Sequence, residues 1–342
     1  MSDRGFTPTS TGSSKRPIGV FDSGVGGLTV LAALMSALPH ERFVYLGDTA
    51  RVPYGSKPLA MVREFAAEIT AELLARDVKA IVIACNTASA ASLPELAKRC
   101  TVPVWGVVEP GVAAALRALT DAPGANDAYE DSGRSGATAA SGGVEQVIGV
   151  LGTAATIEAR VYQDRLEAAG ASTWARACPL FVPLVEEGLQ DSEIANLVVD
   201  HYLGGRPRLA SLILGCTHYP LLKPALRAAL GDGVELVDSS EAVAAFVSTE
   251  LARLGLLNGY SPANSAADRL TAPAIRLEYL VTGDVDVFLH TAGRLGGPRA
   301  PASRVLMNGT RRGIWPLGKR VTRSSEEPSD MIATAGDRSG AA

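Results

Sequence analysis

The sequence carries little that would mark a metal, membrane or nucleic-acid protein. Among 342 residues there are only four cysteines, Cys85, Cys100, Cys178 and Cys216, and four histidines, His40, His201, His218 and His290. No two cysteines form a CxxC pair, which removes a zinc ribbon or a thioredoxin-type site. The histidines lack HExxH spacing, so no metal is expected. No apolar run approaches the ~18 residues needed to span a bilayer. The first residues, MSDRGFTPTSTGSSKRP, lack the apolar stretch of a secretory signal. Thirty-two basic residues face 36 acidic ones, a net charge of −4, without the basic footprint of a nucleic-acid binder. The expectation is a cytoplasmic protein with free thiols, no membrane association and no direct nucleic-acid partner.

What is present is a 47% hydrophobic chain with only 5% aromatics, so its cores are expected to be built from Ala, Val, Leu and Ile. Short apolar runs at 17–21, 42–46, 80–84, 104–108, 146–151, 211–214 and 234–237 read as strands. Helix-period segments at 59–76, 155–169 and 241–255 lie between them. Continuous apolar strands alternating with amphipathic helices predict parallel sheets covered on both faces, hence an α/β fold. Residues 1–16, 121–143 and those from about 298 onward are polar and Ser/Gly-rich. They read as a disordered leader, a flexible insertion and a disordered tail.

The chain also repeats itself. Ile18-Gly19-Val20 recurs as Ile148-Gly149-Val150, Val52-Pro53 recurs as Val182-Pro183, and Cys85 is matched by Cys216. The offset is 130 or 131 residues each time. This spacing predicts two duplicated, doubly wound α/β domains. Ligands in open α/β sheets bind beyond the carboxyl ends of strands. Two such domains facing a shared cleft would bring one thiol to each wall.

A cysteine that ends an apolar run is usually packing. Cys85 and Cys216, however, each close a strand just before an expected helix start, where backbone N–H groups favour a thiolate. Asn86 and Thr87 follow one thiol, and Thr217 and His218 the other. These residues suit either helix capping or a bound carboxylate. His218 suits a proton partner for its thiol. In FDSGVGGLTV (21–30), Asp22 and Ser23 stand beyond the first strand. The glycines match neither GxGxxG nor a Walker A loop, but permit a close approach to a small ligand. Asp22 reads as a helix cap, or as a carboxylate that binds an ammonium or tunes a thiol. Its counterpart in the second half, Gly152-Thr153, has no carboxylate, and Glu186 is the candidate replacement.

Taken together, FDSGVGGLTV (21–30), DTARVPYGSK (48–57), ACNTASA (84–90), VVEPG (107–111), GTAATI (152–157), CPLFVPLVEEG (178–188), LGCTHYPLL (214–222) and VTGD (281–284) strongly resemble the glutamate racemase family. The resemblance covers roughly residues 17–295, apart from 121–143. It implies a cofactor-independent, two-base interconversion of L- and D-glutamate that supplies D-glutamate for peptidoglycan and cell shape. Cys85 would be the base toward D-glutamate, assisted by Asp22, and Cys216 the base toward L-glutamate, assisted by Glu186 and His218. Implied substrate contacts are Asp22, Ser23, Tyr54, Gly55, Asn86, Thr87, Thr153, Thr156, Thr217 and His218. A homodimer is implied as well, and a gyrase contact is known among similar racemases. The family's C-terminal segment returns to the first domain. The expected division is therefore 17–103 plus about 239–297, against 104–238. Alternatives are an aspartate or hydantoin racemase, although GCTHYPLL and VPYG favour glutamate, or a secondary protein-binding role such as gyrase inhibition.

Overall fold

A computed structural model of the chain describes residues 14–120, 147–258 and 276–307. The insertion expected at 121–143, most of the leader and most of the tail lie outside the described residues. The strands are β1 (Ile18–Asp22), β2 (Phe43–Gly47), β3 (Ala80–Ile83), β4 (Val104–Gly106), β5 (Val147–Gly152), β6 (Ser172–Ala177), β7 (Leu209–Gly215), β8 (Glu235–Asp238), β9 (Leu277–Val281) and β10 (Ala302–Arg304). The first helices are α1 (Leu28–Ala37), α2 (Leu59–Ala75), α3 (Asn86–Arg99), α4 (Val108–Thr120), α5 (Ala154–Glu158) and α6 (Val161–Ala168). The others are α7 (Phe181–Glu186), α8 (Glu193–Leu203), α9 (Lys223–Leu230), α10 (Ser239–Arg253) and α11 (Val285–Arg294). No helix of the described residues is long and apolar enough to cross a membrane.

The apolar runs form strands because both faces of each are covered. β1, β2, β3 and β5 are buried at every residue. Every pairing is parallel, and the strands fall into two sheets ordered β10-β9-β2-β1-β3-β4 and β6-β5-β7-β8. The run β2-β1-β3-β4 has the same winding as β6-β5-β7-β8, so the second sheet repeats the core of the first. In each sheet the strand order reverses at one strand, β1 or β5. A crevice opens beyond the carboxyl ends there, the position where such sheets take ligands.

Two corrections to the sequence division follow. β4, assigned above to the second domain, pairs with β3 through Ile81↔Val104 and completes the first sheet. The chain changes sheets only after it, when Val108, Val112 and Ala115 of α4 pack with Ile148, Val150, Ile213 and Val237. Likewise β10 lies past residue 298, in what reads as tail, yet pairs with β9 as an edge strand whose residues are half-buried or exposed. The return crossing comes after β8. There Val243, Ala244, Val247 and Leu251 of α10 join Leu28, Val30, Leu31 and Leu34 of α1. The helical period at 155–169 breaks into α5 and α6 because Arg160 between them adopts a left-handed backbone, φ 52°.

The helices carry matching termini. Asp284 accepts from the Val287 N–H at 2.9 Å, and Asp238 from the Ser240 N–H at 2.8 Å, satisfying donors that the first turn leaves free. At the base of the first sheet Lys79 is fully buried. Its Nζ donates to Glu41, to the Leu256 carbonyl at 2.8 Å and to the Ser14 carbonyl at 2.6 Å. The other Glu41 oxygen accepts from the Asn258 N–H at 2.8 Å. This cluster ties the entries of β2 and β3 to the exit of α10. Removing one member of a buried ion pair strands the other charge. Lys79→Met is therefore expected to lower stability by ~3–5 kcal/mol, measured by urea denaturation, and Lys79→Met with Glu41→Leu to recover part of that loss.

Candidate active site

β1 ends at Asp22, whose carboxylate is completely buried. Its Oδ2 accepts from the Gly24 N–H at 2.9 Å, and its Oδ1 has no partner in the protein. Burial pushes the Asp22 pKa up, and it is opposed by the nearby His218 charge and by the Gly24, Gly27 and Ser23 N–H groups. The loop that follows lies flat against the opposite half. A Cβ on Gly26 would stand 2.3 Å from Thr217 Oγ1 and 2.5 Å from the His218 ring, so only glycine allows this approach. Thr29 reinforces it, with its hydroxyl 2.9 Å from the Gly26 carbonyl and 3.1 Å from the Thr217 carbonyl.

β3 delivers Cys85 to the N-terminus of α3, where the sulfur accepts from the Ala88 N–H at 3.4 Å. Burial pushes this thiol up to about 12, and the Asp22 charge adds to the rise. The Ala88 N–H and Ser23 work in the other direction without cancelling it. An empty site thus holds Cys85 as the neutral thiol.

β7 delivers Cys216 to the matching place in the second sheet, in different company. Its sulfur is 3.8 Å from His218 Nδ1, and His218 Nε2 is 3.0 Å from Glu186 Oε1 at the end of α7. Burial opposes the imidazolium. Hydrogen bonds and charge from Cys216 and Glu186 more than offset this and hold the His218 pKa above its usual 6.5, at about 10.

Between the thiols lies a cavity of about 370 Å³, at the small end of ligand pockets. Its walls include both cysteines together with Ser23, Tyr54, Gly55, Asn86, Thr87, Thr153, Glu186, Thr217 and His218. Asp22 and Thr156 sit one layer behind. Thr156 closes a ring of hydroxyls with Thr87 and Thr153 at 2.9–3.0 Å, and this ring bridges the two halves. Gly55 presses on Thr153, where a Cβ would fall 2.5 Å from the Thr153 Cβ. Cys178 is buried and Cys100 is partly buried; neither lines the cavity. No group of three or more His, Cys, Asp or Glu that could hold a metal occurs among the described residues.

Sequence reasoning passed over the supports of this wall. Asp48 accepts from the Tyr54 hydroxyl, from Arg51 Nε at 2.7 Å and from the Thr282 hydroxyl at 2.7 Å. It thereby fixes the loop that presents Tyr54 and Gly55. Asp48 and Thr282 both stand in quoted motifs, DTARVPYGSK and VTGD, and that was the available signal. Tyr45, which donates to the Gly24 carbonyl at 2.8 Å, and Tyr162, whose hydroxyl is 2.6 Å from Asn86 Oδ1, carried none.

Comparison with known proteins places this architecture. A family model described as Asp/Glu/Hydantoin racemase matches residues 25–124. A glutamate racemase of Thermus thermophilus is 50% identical over 283 residues, which span 82% of this chain and 93% of that protein. The crystal structure of the Thermus thermophilus glutamate racemase in complex with beta-chloro-D-alanine superposes with a TM-score of 0.70, covering 87% of this chain and 99% of that one. The Francisella tularensis enzyme in complex with D-glutamate is 31% identical and also gives 0.70, over 87% and 100%. The fold and these likenesses define an isomerase of the amino-acid racemase class. Within that class, the chain belongs to the glutamate racemase family.

The His218 shift has a consequence for stability. Because the folded state raises its pKa, the stabilisation is complete below 6.5, the ordinary value, and is lost as pH climbs through about 10. The difference in unfolding free energy between wild type and His218→Gln, measured by urea denaturation from pH 6 to 10.5, is expected to be largest at the acidic end and to shrink toward pH 10.

Proposed function

We propose that this racemase interconverts L- and D-glutamate with two thiols acting from opposite faces of the substrate. The observation that carries the reading is that Cys85 and Cys216, at matching strand ends of the two sheets, line one small cavity. A single base would have to swing around the α-carbon, whereas two opposed groups each need only a short, direct proton transfer.

In the direction from L-glutamate, Cys216 as thiolate removes the α-proton. His218 in its charged form, held by Glu186, is the counter-charge for that anion. The electron pair left on the α-carbon delocalises into the α-carboxylate. Donors from Thr87 and Thr217 then meet the charge that develops on its oxygens, while Asn86 holds the carboxylate in place. Cys85, resting as a thiol, gives its proton to the opposite face. D-glutamate leaves with Cys85 as thiolate and Cys216 as thiol; proton exchange with water resets the pair for another L-glutamate, and D-glutamate bound to the swapped state runs the reaction in reverse. Asp22, one layer behind the cavity wall, attracts the substrate ammonium through space. That ammonium charge also offsets the Asp22 charge that helps keep the Cys85 pKa high, so the bound amino acid itself eases formation of the second thiolate. The likeness to glutamate racemases extends the proposal to a role supplying D-glutamate for peptidoglycan in the cytoplasm.

With no cofactor added, glutamate in D2O is expected to exchange its α-hydrogen and lose optical activity. Cys85→Ser and Cys216→Ser are each expected to slow racemisation by ~10²–10⁴-fold, the range for loss of a general acid or base, as followed by circular dichroism. Exchange of aspartate without glutamate would reassign the substrate, and wild-type rates in Cys85→Ser would remove the two-thiol scheme.

A further inference from the structure

Tyr162 belongs to α6 of the second half, where its ring is completely buried among Ile148, Val150, Leu166 and Ile213. It touches the segments that carry both thiols. One ring edge rests against Gly215, the residue before Cys216, where an added Cβ would stand 3.5 Å from Tyr162 Cε2. The hydroxyl reaches across to Asn86, the residue after Cys85, with 2.6 Å between the phenol oxygen and Asn86 Oδ1. The same phenol oxygen is a hydrogen-bond neighbour of Ser239, the first residue of α10, where the chain crosses back to the first half.

Asn86 is 2% exposed and forms part of the cavity wall. Its Oδ1 is taken by Tyr162, while its Nδ2 has no partner in the protein. A buried amide N–H2 without an acceptor costs the desolvation of that group. An acceptor entering the cavity removes the cost. A phenol is a strong donor and an amide oxygen a strong acceptor, so the Tyr162 bond selects one of the two amide orientations and leaves the nitrogen as the free end. Without the hydroxyl, the amide is free to turn and present its oxygen, which repels a carboxylate.

We propose that Tyr162 is a positioning residue: its hydroxyl, bonded across the two halves to Asn86 Oδ1, orients the Asn86 amide so that Nδ2 meets a carboxylate oxygen of the substrate. The inference rests on the reading of glutamate as substrate. It assigns the interaction to binding, since the carboxylate is present before and after proton transfer. Interactions of equal strength in ground and transition states appear in KM and leave kcat.

Steady-state racemisation of glutamate by wild type, Tyr162→Phe, Asn86→Ala and the double variant tests this, with thermal denaturation alongside. Phenylalanine keeps the ring packing against Gly215 and removes only the hydroxyl. Tyr162→Phe is expected to raise KM about tenfold, with kcat within about twofold, the scale of one hydrogen bond to a charged group. Asn86→Ala is expected to raise KM at least as much. The double variant should match Asn86→Ala alone, because the hydroxyl acts only through the amide. An unchanged KM in Tyr162→Phe overturns the inference, whether or not its melting temperature falls. Multiplying effects in the double variant also overturn it. A wild type that leaves glutamate untouched defeats the functional reading itself, before any variant is compared.

Discussion

The geometry of the cavity depends on how closely the loop after β1 approaches the loop after β7. Gly26 has no side chain, and the backbone there passes so near Thr217 and His218 that even one methyl group would collide with them. The hydroxyl of Thr29, shared between the Gly26 and Thr217 carbonyls, secures the same contact. On the far side Gly55 leans on Thr153, and three threonine hydroxyls close the gap. With both rims drawn together, two ligand crevices that would otherwise face solvent separately become one enclosed space with a thiol on each wall.

The duplication supplies symmetric backbone but not symmetric chemistry. Each cysteine follows the strand beside the switch strand of its sheet. Cys85 nevertheless has a buried carboxylate behind it, and Cys216 has an imidazole backed by a carboxylate. Asp22 terminates β1, whereas β5 terminates at Gly152, and the acid of the second half comes from α7 instead. The two sulfurs consequently sit in fields of opposite character, one disfavouring a thiolate and the other providing a counter-charge. In the proposed two-thiol reaction, donor and acceptor must differ at the start of each turnover, and these unlike surroundings would supply that difference.

Much of this was legible in the chain because burial on both faces forces continuous apolar runs. β1, β2, β3, β5 and β7 announced themselves in this way, and the edge strands β4 and β8 did so through short apolar runs. The strands that did not are edge or interrupted ones. β6 is half-buried along its whole length and reads STWARA; β10 is largely exposed; and β9, LEYLV, has Glu278 near its start. The site was legible where the chemistry sits in motifs, as at Cys85, Cys216 and His218. The supports were not, because their role is set by long-range partners. Asp48 meets Thr282, and Tyr162 meets Asn86, at separations that no local pattern encodes. The crossing after β4 was misplaced by one short strand for a similar reason, since three residues cannot declare which sheet they will join.

The chain passes between the two sheets twice, after β4 and after β8, and each crossing is followed at once by a helix that packs on the sheet being entered. α4 lies in sequence beside the first sheet yet roofs the second, and α10 follows the second sheet yet seals the first. The stretch 108–238 therefore holds every buried member of its two apolar clusters, whereas the interior of the first sheet is assembled from two separate lengths of chain. Truncation after β8 would strip α10 and β9 from the first sheet and leave the second sheet's clusters whole.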